Sequence, residues 1–211
     1  MGSMSERAPA GEARPDQRLV RGERSRRSIT RHAVDIASAE GLNGLSIGRL
    51  AADLGLSKSG VQTLFGTKEA LQLAVVESAD EQFAEAVVRP AMDEPEGAAR
   101  VRALIEGWIT YATTPLFAGG CFWSQNLPEF DSRPGRVRDA LFAQHRNWLD
   151  LIAGELRYAV DAGEIAGVDP ELAAFQIAAV LAAANCAVRV GDDDAVRKAR
   201  LVVGGLLRPL G

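Results

Sequence analysis

The chain has 211 residues and is 47% hydrophobic, enough for one substantial domain or for a small domain joined to a larger one, and too apolar for wholesale disorder. Its two cysteines, Cys121 and Cys186, stand far apart with no CxxC or Cys/His cluster, so no metal site, cofactor or disulfide framework is expected, and a reduced cytoplasmic setting is the simplest reading. The net charge of −4 is uneven: residues 1–70 hold 11 Lys/Arg against 8 Asp/Glu, a net of +3, whereas residues 71–211 hold 13 against 20, a net of −7.

Residues 1–22 combine Pro9, Pro15 and many charges with little apolar content and read as a flexible basic arm. The N-terminus has no apolar core of the secretory kind. Helical pattern starts near Glu23 and runs to Glu40, with Ile29, Ala33, Ile36 and Ala37 on one stripe. Gly41 and Gly44 make a turn, and Ser46 caps a short helix with apolar Ile47, Leu50, Ala51 and Leu54. After Gly55 and a second cap at Ser57, another short helix, about Lys58 to Phe65, is apolar only at Val61, Leu64 and Phe65. Two short helices across a tight glycine turn are the sequence form of a helix-turn-helix, whose second helix enters a DNA major groove.

Gly66 breaks the pattern, and Thr67 begins a helix expected to reach about Val88, with a stop or kink at Arg89-Pro90. Further helices are expected at about 96–112, 121–127 and 137–162. Asp169-Pro170 is a start signal for a helix apolar nearly all round, Leu172 to Val188, and a last helix ends near Leu207. Gln176 and Asn185 interrupt that apolar run, which argues against a membrane span. No strand pattern occurs. The expected fold is all-α: a three-helix helix-turn-helix head and a larger helical body, about nine helices in all. The expected division is an arm at 1–22, a DNA-binding domain at 23–66 and an effector-binding and dimerisation domain at 67–211.

The helix at 23–40 followed by GLNGLSIGRLAADLGLSKSGVQTLFGTKEAL resembles the DNA-binding domain of the tetracycline-repressor (TetR) family of transcriptional regulators. The resemblance rests on Gly44-Leu45, Ser46-Ile47, the Ala51–Ser57 turn, Phe65 and Thr67–Leu71, and covers roughly residues 24–75. It implies sequence-specific binding to a palindromic operator by a homodimer, and release by a small apolar or aromatic effector bound in an all-helical body. The recognition helix departs from the family's habit of aromatic residues and a His before the Phe: here Gln62, Thr63 and Leu64 stand instead. Gln62 can pair bidentately with adenine.

Within the motif, Lys58, Ser59, Gly60, Gln62 and Thr63 are the candidate DNA-facing residues, since Val61, Leu64 and Phe65 are spaced for the core. Gly60 suits close approach to DNA or tight packing between helices. Ser46 and the helix start at Thr67-Lys68 are candidate phosphate contacts, and Arg21, Arg24, Arg26 and Arg27 candidate backbone or minor-groove contacts. In the body, Trp108, Tyr111, Phe122, Trp123, Asn126, His145 and Trp148 form an aromatic set with polar anchors, the composition of an effector pocket. Ala174, Ile177, Leu181, Val202 and Leu206 are the candidate dimer seam. His32 and His145 carry no catalytic signature, and no nucleophile–base pair or phosphate-binding loop is present, so no enzymatic activity is expected.

Overall fold

A computed structural model describes residues 17–114 and 116–208, with side chains from residue 22 onward. The part of the basic arm before residue 17 lies outside the described residues. Helix α1 is Gln17–Glu40, so residues 17–22, expected in the arm, are already helical. A single 3₁₀ turn at Leu42–Gly44 leads to α2, Ile47–Asp53, and α3, Lys58–Phe65. Each start is capped as its sequence dictates: Ser46 Oγ accepts from the Arg49 N–H, and Ser57 Oγ accepts from the Gly60 N–H. The turn between them depends on Gly55, whose φ of 63° is the left-handed conformation that costs glycine nothing.

Helix α4, Lys68–Phe83, starts at the Thr67 cap, whose Oγ1 accepts from the Ala70 N–H. It runs without interruption into a π-helical turn, Ala84–Val88, and then α5, Arg89–Ala91. Pro90 therefore lies in the last turn, with the π turn directly before it and the helix ending at Ala91, so the kink or stop expected at Arg89-Pro90 falls within a residue or two of its place. Proline lacks the N–H that a regular α-turn requires and its ring crowds the preceding turn. The wider π turn directly before Pro90 changes the pairing where that conflict would arise.

The body continues with α6, Ala98–Thr113; α7, Phe122–Phe130; α8, Arg136–Asp161; α9, Pro170–Arg189; and α10, Ala195–Leu206. With α4, the π turn and α5 taken as one rod, this is nine helices among the described residues, with no strand. Asp169 caps α9 as read, its Oδ1 accepting from the Leu172 N–H at 2.9 Å.

Helix α1 packs on α4 and α7, α8 on α4, α6, α7 and α9, and α10 on α9. One continuous apolar cluster runs from Ile29 through Leu50, Val61 and Phe65 into Leu104, Phe122, Leu156 and Leu207. Head and body thus share a core. Helix α9 is long and apolar enough to cross a membrane by length and composition, despite Gln176 and Asn185, yet its Ala173, Ala174, Ile177 and Leu181 are packed inside the protein.

Candidate DNA interface and effector cavity

In the head, Val61 and Phe65 are buried and Leu64 partly so. That orientation sends Lys58, Ser59, Gly60, Gln62 and Thr63 to the surface. The helix is held at its far end by Arg26 of α1, whose Nη1 donates to the Leu64 carbonyl at 2.9 Å while the guanidinium lies 4.7 Å from the Phe65 ring centroid. Arg26 therefore positions α3, whereas Arg24 and Arg27 are exposed, Arg27 with a loose 3.8 Å contact to Glu23. Among the described residues Lys58 has no ion-pair or hydrogen-bond partner. Thr63 Oγ1 donates to the Ser59 carbonyl at 2.8 Å, and the Gln62 amide donates to the Gly66 carbonyl. The Gln62 side chain must leave that carbonyl before it can meet a base.

Gly60 has a local explanation that neither sequence-based reading anticipated: a Cβ there would sit 2.9 Å from Ser57 Oγ, the cap of its own helix. Ser46, Ser57 and Thr67 each use an oxygen lone pair for capping and keep the hydroxyl proton for an outside acceptor. Ser57 is thus a further surface donor beside α3, concealed in the sequence by its cap role. Lys68 Nζ donates to the Asn43 carbonyl at 2.8 Å, tying α4 to the 3₁₀ turn.

The body contains a cavity of about 800 Å³ between α4, α6, α7, α8 and α9. Four of the expected residues line it: Trp108, Trp123, His145 and Trp148. Three do not. Tyr111 and Phe122 are core residues behind the wall, with the Tyr111 hydroxyl accepting from the Phe122 N–H at 2.8 Å. Burial raises the Tyr111 phenol well above its ordinary pKa, so it stays protonated. Asn126 belongs to the joint between head and body. Its Oδ1 accepts from the Leu42 N–H at 2.7 Å, and its Nδ2 donates to the carbonyls of Ala37 at 3.1 Å and Phe122 at 2.8 Å. With these bonds made and no exposed surface, it has nothing to offer a ligand.

The cavity also has residues that the sequence did not single out: Asp80 and Phe83 on α4, and Phe175, Cys186 and Arg189 on α9. Phe83 is the hub of the aromatic wall, edge-on to Trp123 at 5.1 Å and to Trp148 at 5.3 Å. Burial, helped by the neighbouring Glu81 charge, raises the pKa of the Asp80 carboxyl. Burial lowers that of His145, favouring its neutral ring. Trp123 Nε1 is buried without a hydrogen-bond partner among the described residues. The signal for Asp80 was present in α4: it falls three and four residues before Phe83 and Ala84, on the flank of an otherwise apolar face.

A loop connects cavity and head. Gly119 and Cys121 line the cavity from it. The Arg189 guanidinium donates to the Gly119 carbonyl, and the Asn185 Oδ1 accepts from the Cys121 N–H at 3.0 Å. On its other side the loop meets α1: the Gly119 N–H donates to Ser38 Oγ at 2.8 Å, and a Cβ on Gly119 would lie 2.1 Å from the Ser38 carbonyl carbon.

The expected seam divides. Ile177, Leu181 and Ala174 are buried inside the protomer at 0%, 1% and 2% exposure, so they face away from any second copy. Leu206 is partly buried within the protomer and Val202 is exposed. The open apolar surface of α9 and α10 is instead Leu172, Phe175, Leu201 and Val202, each 47–64% exposed. The α9 alanine-rich pattern cannot reveal which of its faces the same chain fills.

An all-helical chain with a helix-turn-helix head and a larger body enclosing a cavity has the architecture of a DNA-binding regulator. A family model described as "Tetracyclin repressor-like, C-terminal domain" matches residues 97–203, about half of the chain. The chain belongs to the TetR family of transcriptional regulators. Its fold is similar to that of a TetR transcriptional regulator from Chloroflexus aurantiacus J-10-FL, at 23% identity and a TM-score of 0.81, over 88% of this chain and 95% of that one. It is also similar to AibR, solved with isovaleryl coenzyme A and operator DNA, at 22% identity and a TM-score of 0.71, over 88% and 99%. A regulator from Saccharomonospora viridis in complex with choline is 20% identical with a TM-score of 0.71, over 87% and 95%. No curated protein matches the chain.

Proposed function

We propose that this protein is a repressor that binds a palindromic operator as a homodimer and is released when a small molecule enters the cavity of its body. The observation that carries this reading is α3, anchored by Arg26 at one end and capped by Ser57 at the other, with its polar face exposed to solvent. Lys58, Ser59, Gln62 and Thr63 read or approach bases. Ser46, Ser57, Thr67 and Lys68 hold phosphates, and Arg24 and Arg27 add charge along the backbone. One such helix reads few base pairs, and a second copy on a two-fold axis doubles the site. The exposed α9–α10 face suits that second copy. Two solved relatives of this fold carry small molecules, one of them also operator DNA, which favours the cavity as the effector site. The reading includes no catalytic step, and family members are in general transcription factors and not enzymes.

Selection of bound duplexes from a random pool tests it. A palindromic consensus with half-sites about one helical turn apart is the expected result, and sequence-independent retention overturns the reading. Against the selected operator, Gln62→Ala changes base preference at one position of each half-site. Lys68→Ala weakens all sequences alike and lowers the salt slope by about one per protomer.

A further inference from the structure

We propose that the effector is an organic cation, its charge beside Asp80 and its apolar or aromatic body against Trp108, Trp123 and Trp148. This deepens the reading of the cavity as an effector site and rests on it.

Asp80 is the one carboxylate among the described residues that line this aromatic cavity. Asp80 lines the cavity about half-buried, and among the described residues it enters no ion pair and no side-chain hydrogen bond. A half-buried carboxylate without a counter-charge costs stability, and the fold could have removed it with an asparagine of the same shape. The cavity's one basic side chain, Arg189, keeps its charge but is held at the Gly119 carbonyl and makes no ion pair with Asp80, and burial of His145 favours its uncharged ring. Asp80 is therefore left without a counter-charge within ion-pair distance. Three indole rings and Phe83 share the cavity with it. Aromatic faces attract cations, more so when water is excluded, and give anions no such stabilisation. The volume of about 800 Å³ accommodates a drug-sized molecule. Asp80 sits on α4, whose Thr67–Lys68 start abuts the head, so a cation drawn to Asp80 acts on the helix that reaches the DNA-binding end.

Tetraphenylphosphonium and tetraphenylborate test this, since they share size and shape and differ in the sign of the charge. Calorimetry on the full-length protein is expected to show tetraphenylphosphonium binding at least about tenfold more tightly. Asp80→Asn is expected to erase that preference and Asp80→Glu to keep much of it, with thermal melts confirming that both variants fold. Equal binding of the two ions, preference for the borate, or an unchanged preference in Asp80→Asn overturns the proposal, and the wild-type comparison alone decides if a variant misfolds. Selection of operator DNA by the ligand-free protein is a separate readout. A palindromic consensus without a phosphonium preference removes the cation and leaves the regulator. A phosphonium preference without any DNA selectivity removes the regulator.

Discussion

Arg26 sits in a run of arginines whose composition suggests contact with nucleic acid, yet its partners are a carbonyl and a ring of its own protein. Arg26→Ala is expected to lower stability by about 1–2 kcal/mol in urea denaturation, through loss of one charge-assisted hydrogen bond and one cation–π contact. Arg24→Ala is expected to leave the midpoint unchanged. Local pattern made the capping serines and the core face of α3 legible, because both depend on neighbours three or four residues away. Partners remote in sequence left no such trace. Asn126 reads as a polar anchor among aromatics, but its bonds go to residues more than eighty positions upstream as well as to its own helix. His145 carries a pH signature. Burial lowers its pKa from 6.5, so the unfolded chain takes a proton that the folded protein resists. Its contribution to stability is present above about pH 6.5 and is lost as the pH falls below that value. His145→Gln should therefore show a smaller drop in melting temperature between pH 7.5 and about pH 5.5 than the parent chain.

At the scale of the element, α4 and α9 departed furthest from their sequence pattern. Periodicity traced α4 well and Pro90 marked its end to within a turn, but the π turn before it was not foreseen. A change in backbone winding leaves no hydrophobic signature, so it could not be read. For α9 the pattern shows apolar residues all round and so gives no face. Packing of Ile177 and Leu181 against the body settles which side is inner. Burial of Ala195, Ala199 and Val203 sets α10 with Leu201 and Val202 outward, and Arg200 of α10 adds an exposed ion pair to Glu106 of α6 at 2.8 and 2.6 Å. If this face joins two copies, replacing both Phe175 and Leu201 with glutamate should yield monomers by light scattering, with little change in helical content. Such monomers should lose most operator affinity, since each half-site is then bound alone. Ile177→Ala is expected to act differently, costing about 2–4 kcal/mol of stability while association is retained.

For the whole molecule, fold class and the two-part plan were legible because helix count, caps and charge asymmetry are all read locally. The cavity was legible only as a concentration of aromatics. Which of them form its wall depends on how α4, α6, α8 and α9 converge. The contact at Gly119 has a mechanical consequence. A side chain can rotate out of the way of a push, but two main chains in direct contact have no slack. Loop 118–121 and the end of α1 therefore form a clamped joint, and the carbonyl of that loop is gripped by an arginine of the cavity wall. A shift of α9 that displaces this loop is therefore expected to carry the end of α1 with it as one lever, with α3 at the far end, where a small tilt near the fulcrum becomes a larger sideways travel.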